Sequence, residues 1–106
     1  MNYGKALRIA RAIAGVEQKQ LANAAGLNPS HISLIEKGTR KPSIRAIAKL
    51  CRALGISEPL FNMLAAEGSD LRGIEEEEFE KIGVYLARFL IRGASPANQT
   101  VRRRRA

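Results

Sequence analysis

The 106-residue chain carries 18 Lys/Arg against 10 Asp/Glu, a formal charge of +8 that points to a polyanionic partner. Its length suits one modest helical core with an appendage, and the single cysteine, Cys51, excludes an internal disulfide. No apolar run is long enough to span a membrane, and Lys5, Arg8 and Arg11 break up any signal-peptide core, so a cytoplasmic protein is expected.

The pattern predicts helices over about 3–14, 18–25, 29–37, 43–54 and 57–67, with Gly15, Gly26, Gly38 and Gly55 where a helix should stop. In the second, Leu21, Ala22 and Ala25 share one face. Gly26 follows where a left-handed helix end needs a residue without Cβ. Asn28 then caps the third helix, and Pro29 takes its first position, where the missing N–H is harmless. Two short helices joined in this way form a helix-turn-helix, whose second helix usually enters the major groove of DNA. Ser57 caps the fifth helix, with Pro59 in its first turn.

Residues 68–73 read as a hinge before a sixth helix over 74–91. Glu75 to Glu78 crowd its N-terminus and Arg88 and Arg92 its C-terminus, both complementing the helix dipole. Phe79, Ile82, Leu86 and Phe89, broadened by Tyr85 and Leu90, form an apolar stripe. That stripe fits self-association, or packing back onto the chain's own body. The tail, residues 93–106 with Arg102 to Arg105, reads as disordered: a basic arm for phosphate, or a solubilising terminus. The expected fold is therefore all-α: a helix-turn-helix domain over 1–67, a hinge and C-terminal helix over 68–92, and a disordered basic tail over 93–106. Residues 1–68 hold ten Lys/Arg and four Asp/Glu and residues 69–106 eight and six, so the basic excess sits mainly on the first part.

Unrolled at about 100° per residue, the third helix turns Ile32 and Ile35 inward and Ser30, Ser33, Leu34 and Lys37 outward. The outward set has no Arg or Gln to read guanine or adenine by paired hydrogen bonds. Serine bonds to donors or acceptors, and Leu34 can pack on a thymine methyl or be an ordinary exposed leucine. Direct readout should be modest, leaving more to phosphate contacts and DNA shape. Gln18 begins the second helix, where free backbone N–H groups can meet a phosphate. The preceding Glu17 is a poor cap. His31 lies to one side of the core direction, fitting partial packing or a phosphate contact. Cys51 falls between Leu50 and Leu54 on an apolar face and reads as a small buried hydrophobe.

Leu7-Arg8-x-x-Arg11, Gln18, Leu21-Ala22, Gly26, Ile32-Ser33-x-Ile35-Glu36-x-Gly38 and Pro42-Ser43 together resemble the phage repressor and Cro-like (XRE-type) helix-turn-helix family. The resemblance covers roughly residues 4–66 and implies a five-helix lambda-repressor-like DNA-binding domain. It further implies base contacts from Pro29, Ser30, Ser33 and Leu34. Phosphate contacts are expected from Gln18, Asn28, His31, Lys37, Thr39, Arg40, Lys41 and Arg45, and a structural ion pair between Arg11 and Glu36. Glu17 departs from the family's usual Ser or Asn.

The expected function is sequence-specific binding of double-stranded DNA by a bacterial or phage transcriptional regulator, most simply a repressor. It would bind palindromic sites as a homodimer through Phe79, Ile82, Tyr85, Leu86, Phe89 and Leu90. The competing expectation is an antitoxin whose C-terminal segment binds a toxin. One His, one Cys, no glycine-rich phosphate loop and no triad leave no enzyme activity, metal or cofactor to assign. No membrane contact is expected, and the stretch after residue 68 is too short for an independent small-molecule pocket.

Overall fold

The computed structural model describes residues 1–92, so the expected disordered tail 93–106 lies outside the described residues. Helix-ending glycines and helix-starting Asn and Ser residues divide the chain into α1 (Tyr3–Ala14), α2 (Gln18–Ala25), α3 (Pro29–Glu36), α4 (Ile44–Leu54), α5 (Glu58–Ala65) and α6 (Glu76–Arg92). The fold is all-α. Four N-termini are capped by side chains: Asn2 accepts from the Lys5 N–H, Asn28 from Ser30, Ser43 from Ala46 and Ser57 from Leu60. Such caps contribute about 1 kcal/mol each. Gly15, Gly26 and Gly55 end α1, α2 and α4 in the left-handed conformation.

The boundaries differ from expectation mainly after α4. The fifth helix spans Glu58–Ala65 and not 57–67, and the hinge folds into a 3-10 turn over Gly68–Leu71 before α6 begins at Glu76. Glu17 also does better than its side chain suggests, because the Gln20 Oε1 accepts the Glu17 N–H at 2.8 Å. The partner three residues on supplies the reciprocal half of a capping box.

Helix α1 runs through the centre of the bundle and packs on α5, α3 and α4, while α2 packs on α3 and α4. Leu7, Leu21, Ile32, Leu50, Leu54, Leu60 and Phe61 are fully enclosed at this junction. Tyr3 lies over Phe61 with ring centroids 6.3 Å apart. Helix α6 packs on α5 alone among close helix pairs and adds one buried side chain, Phe89. No helix among the described residues is long and apolar enough to cross a membrane.

Candidate nucleic-acid interface

Position α3 first. Its inner face is fixed by Ile32 and Ile35, both buried, and its C-terminal end is gripped by α1. Gly4, Arg8 and Arg11 recur at i, i+4 and i+7, so they form one stripe along α1. A Cβ at Gly4 would lie 2.6 Å from the Ile35 carbonyl oxygen and 2.9 Å from that of Glu36, so only glycine permits this approach. Arg8 donates from its guanidinium to the Glu36 carbonyl. Arg11 meets the Glu36 carboxylate with two nitrogens, Nε at 2.9 Å and Nη2 at 3.1 Å, and sends Nη1 to the Val16 carbonyl at 3.0 Å.

Glu36 is the one buried charged residue among those described, 7% exposed. Besides Arg11 it accepts from the Gln18 Nε2 at 3.1 Å. A buried carboxylate needs such partners, since charge held away from water without them costs several kcal/mol. The cluster ties α1, from Gly4 to Arg11, and the start of α2 to the end of α3. Gly4 and Arg8 are the participants that sequence reasoning missed. Their spacing with Arg11 was the available signal, but nothing local says which helix end that stripe will meet.

The opposite side of α3 is open. Pro29, Ser30 and Leu34 are exposed, Ser33 and His31 half-buried and Lys37 exposed. The Ser30 hydroxyl donates to the Asn28 Oδ1 at 2.8 Å, while that oxygen also takes the Ser30 N–H at 3.0 Å. Ser30 therefore presents lone pairs outward rather than its proton. After α3, Gly38 at φ 77° turns the chain back. The Thr39 and Arg40 N–H groups both bond to the Leu34 carbonyl, at 3.0 and 3.2 Å. The basic loop is thus fastened by its backbone to the last turn of α3, with Thr39, Arg40, Lys41 and then Arg45 all exposed.

Two further details matter. Partial burial and the neighbouring Arg40 charge both hold His31 below its ordinary pKa. Ile44 stands 86% exposed at the first position of α4, between Ser43 and Arg45. It lies in the first turn of that helix, at the edge of the basic loop. Cys51 is buried, and burial with the Glu58 charge pushes its thiol up to about 12, so it is inert packing.

The six residues expected to form a seam are divided by the fold. Phe89 is buried, and Ile82, Tyr85 and Leu86 pack partly against the chain's own core. Phe79 and Leu90 remain exposed, as do Val84 and Ile91. The alternative reading, packing onto the body, describes the first four in this structure. Between α5 and α6 the chain passes through the 3-10 turn and a short linker, and α6 packs on α5.

Comparison with known proteins agrees with this geometry. A family model described as a helix-turn-helix domain matches residues 2–64, which holds α1 to α5 up to the last residue of α5. An uncharacterised HTH-type transcriptional regulator of Sinorhizobium fredii is 40% identical over 50 residues, 47% of this chain and 26% of that protein. Uncharacterised HTH-type transcriptional regulators from two strains of Mycobacterium tuberculosis are 35% identical over 54 residues, 51% of this chain and 39% of theirs. The chain thus matches well under half the length of these relatives. No solved structure matches the chain. With more than half of its residues matched and α3 set on the bundle with one face free, the chain belongs to the XRE-type helix-turn-helix family of transcriptional regulators.

Proposed function

We propose that this protein is a sequence-specific repressor that binds palindromic double-stranded DNA as a homodimer, with α3 in the major groove, at the nucleoid of a bacterial or phage-infected cytoplasm. The observation that carries this reading is the asymmetry of α3. Its inner face and C-terminal end are locked by Ile32, Ile35 and the Glu36 cluster, while Ser30, Leu34 and Lys37 stand free beside the basic loop.

Pro29, Ser30, Ser33 and Leu34 are assigned to base edges. Ser30, its proton given to Asn28, suits the amino groups of adenine or cytosine, and Leu34 suits a thymine methyl. Thr39, Arg40, Lys41, Arg45, Lys37, Asn28 and His31 are assigned to the backbone, which positions the helix without reading sequence. Because Glu36 holds the Gln18 amide, the phosphate contact at that position is assigned to the backbone N–H groups opening α2.

The test is affinity for upstream DNA fragments across a salt series, measured by fluorescence anisotropy. Affinity should fall steeply with salt as phosphate contacts release counterions. Arg40→Ala should weaken specific and nonspecific binding alike, whereas Leu34→Ala should erode sequence preference, by about 1–3 kcal/mol for a lost base contact. Absence of binding to any fragment at low salt would refute the reading.

Dimerisation is assigned to the side of α6 that the body leaves exposed or, at Leu86, only partly covers. Phe79, Gly83, Leu86 and Leu90 fall at i, i+4, i+7 and i+11, a heptad-like seam. Two-fold symmetry would place two α3 helices on half-sites about 34 Å apart. Phe79→Glu with Leu90→Glu should give a folded monomer by light scattering, with weaker operator binding. The same exposed residues support a second reading, an antitoxin whose α6 holds a toxin; a double variant that stays dimeric but loses a co-purifying partner would favour it.

A further inference from the structure

Helix α6 forms an open cavity with the body, on the side where α4 ends. Its volume is about 330 Å³, and its wall includes Arg52 from the last turn of α4, Ser57 before α5, and Tyr85, Arg88, Phe89 and Arg92 from α6. That size is at the lower end of small-molecule sites, roughly 300–1,000 Å³. The stretch after residue 68 is too short for a pocket of its own, but docked α6 needs only half a wall, and α4 with the start of α5 provides the other half.

The composition of this wall is unusual. Arg88 and Arg92 are one turn apart on α6, so they share the face that also carries Tyr85 and Phe89. Arg52 approaches from a different element. A cation in the last turn favours its own helix by about 0.3–1 kcal/mol, which accounts for Arg52 and Arg92 singly. It does not account for three arginines from two elements lining one concavity. Among the described residues none of the three forms an ion pair. Glu58 is near enough to act on the Cys51 thiol, yet does not bridge to these arginines.

We propose that this cavity binds a small multivalent oxyanion, a phosphate ester or a polycarboxylate, through Arg52, Arg88 and Arg92. Guanidinium forks match both oxyanions with paired, charge-assisted hydrogen bonds. The half-buried Tyr85 offers an aromatic surface to an organic body, and the Ser57 and Tyr85 hydroxyls bring polar groups to the same lining. Because the arginines come from α4 and α6, the ligand bridges the body to the appended helix. Binding therefore fixes α6, the element on which the exposed apolar seam stands. The inference is independent of DNA binding and is tested without DNA.

The experiment titrates the full chain with pyrophosphate in one arm and citrate in the other, by calorimetry and thermal melting, at ionic strength matched with chloride. Saturable binding should raise the melting temperature, since a ligand held only by the folded state stabilises it. Arg52→Gln and Arg88→Gln should each weaken binding roughly tenfold, the equivalent of one lost charge-assisted bond. Arg40→Ala with Lys41→Ala, on the proposed DNA face, should leave it unchanged. Amide exchange in α6 should slow on ligand addition in the parent chain and not in Arg88→Gln. Preference for one arm identifies the oxyanion class. Failure of both arms to saturate overturns the proposal, as does binding that survives Arg52→Gln and Arg88→Gln or disappears with the Arg40 and Lys41 changes.

Discussion

The bundle α1–α5 and the helix α6 solve the same problem, an amphipathic helix in water, to different extents. In the bundle most large apolar side chains are buried or partly so, with Ile9, Leu34 and Ile44 exposed, four helix starts are capped by Asn or Ser, and the one buried carboxylate has three hydrogen-bond donors. In α6 one residue, Phe89, is fully enclosed, while Phe79, Val84, Leu90 and Ile91 face outward. The bundle is complete as a unit, as a domain that must hold α3 in one orientation has to be. Helix α6 is half-satisfied, and the proposed dimer interface is assigned to it for that reason.

The comparison can be broken most severely at Glu36. Glu36→Ala should lower unfolding free energy by about 3 kcal/mol, because it strands the Arg11 guanidinium that the carboxylate neutralises. Arg11→Ala should cost a similar amount by stranding Glu36. Lys37→Ala, one residue on and exposed, should stay within about 0.5 kcal/mol. Urea denaturation of the three variants checks this. Equal small shifts would remove the polar cluster as the anchor of α3.

Glycine-to-alanine changes sharpen the contrast, because the two regions should respond with opposite signs. Gly4→Ala places a methyl group against the Ile35 and Glu36 carbonyls, backbone atoms that cannot swing away. It should destabilise by about 1–3 kcal/mol, as overpacking does. Gly83→Ala meets nothing within 4 Å on α6. There the better helix former should add about 0.5–1 kcal/mol to local stability, read as slower amide exchange along α6. In the proposed dimer the same methyl enters the seam, so added helix stability with weaker self-association would locate the partner at Gly83.

The smallest effect concerns pH. Since the folded chain holds His31 below its ordinary pKa, the folded state binds that proton less tightly than the unfolded chain does. Its contribution to stability is complete above the unfolded pKa, near 6.5. It is lost as pH falls from there through the folded value. DNA phosphate near His31 would reverse the sign for binding, so operator affinity should rise slightly between pH 7 and pH 6 and this rise should vanish in His31→Gln. Anisotropy titrations at the two pH values measure it; an unchanged slope in His31→Gln would take His31 out of the interface.

How much was legible varies by element. Helices α1 to α4 begin and end close to where Asn2, Asn28, Ser43 and the glycines place them, since caps and left-handed turns are decided within a few residues. The end of α5 was less legible because no glycine or proline stops it at Ala65, and the chain leaves through an extended Ala66. The outward face of α3 followed from its 3.6-residue period. Gly4 and Arg8 did not, because their meaning depends on a carbonyl more than 25 residues away in sequence.

The sequence by itself determined the helical segments, the inward and outward sides of α3, and the family. These rest on local periodicity, caps and turn residues, which act over one or two turns of chain. Tertiary structure alone decided that Gly4, Arg8 and Gln18 join the expected Arg11 at the end of α3. It also decided that α6 lies against α5 with only part of its stripe covered, and that Arg52, Arg88 and Arg92 share one cavity. Those outcomes depend on how helices distant in sequence cross, and a long-range approach leaves no mark in the local pattern of residues that will meet.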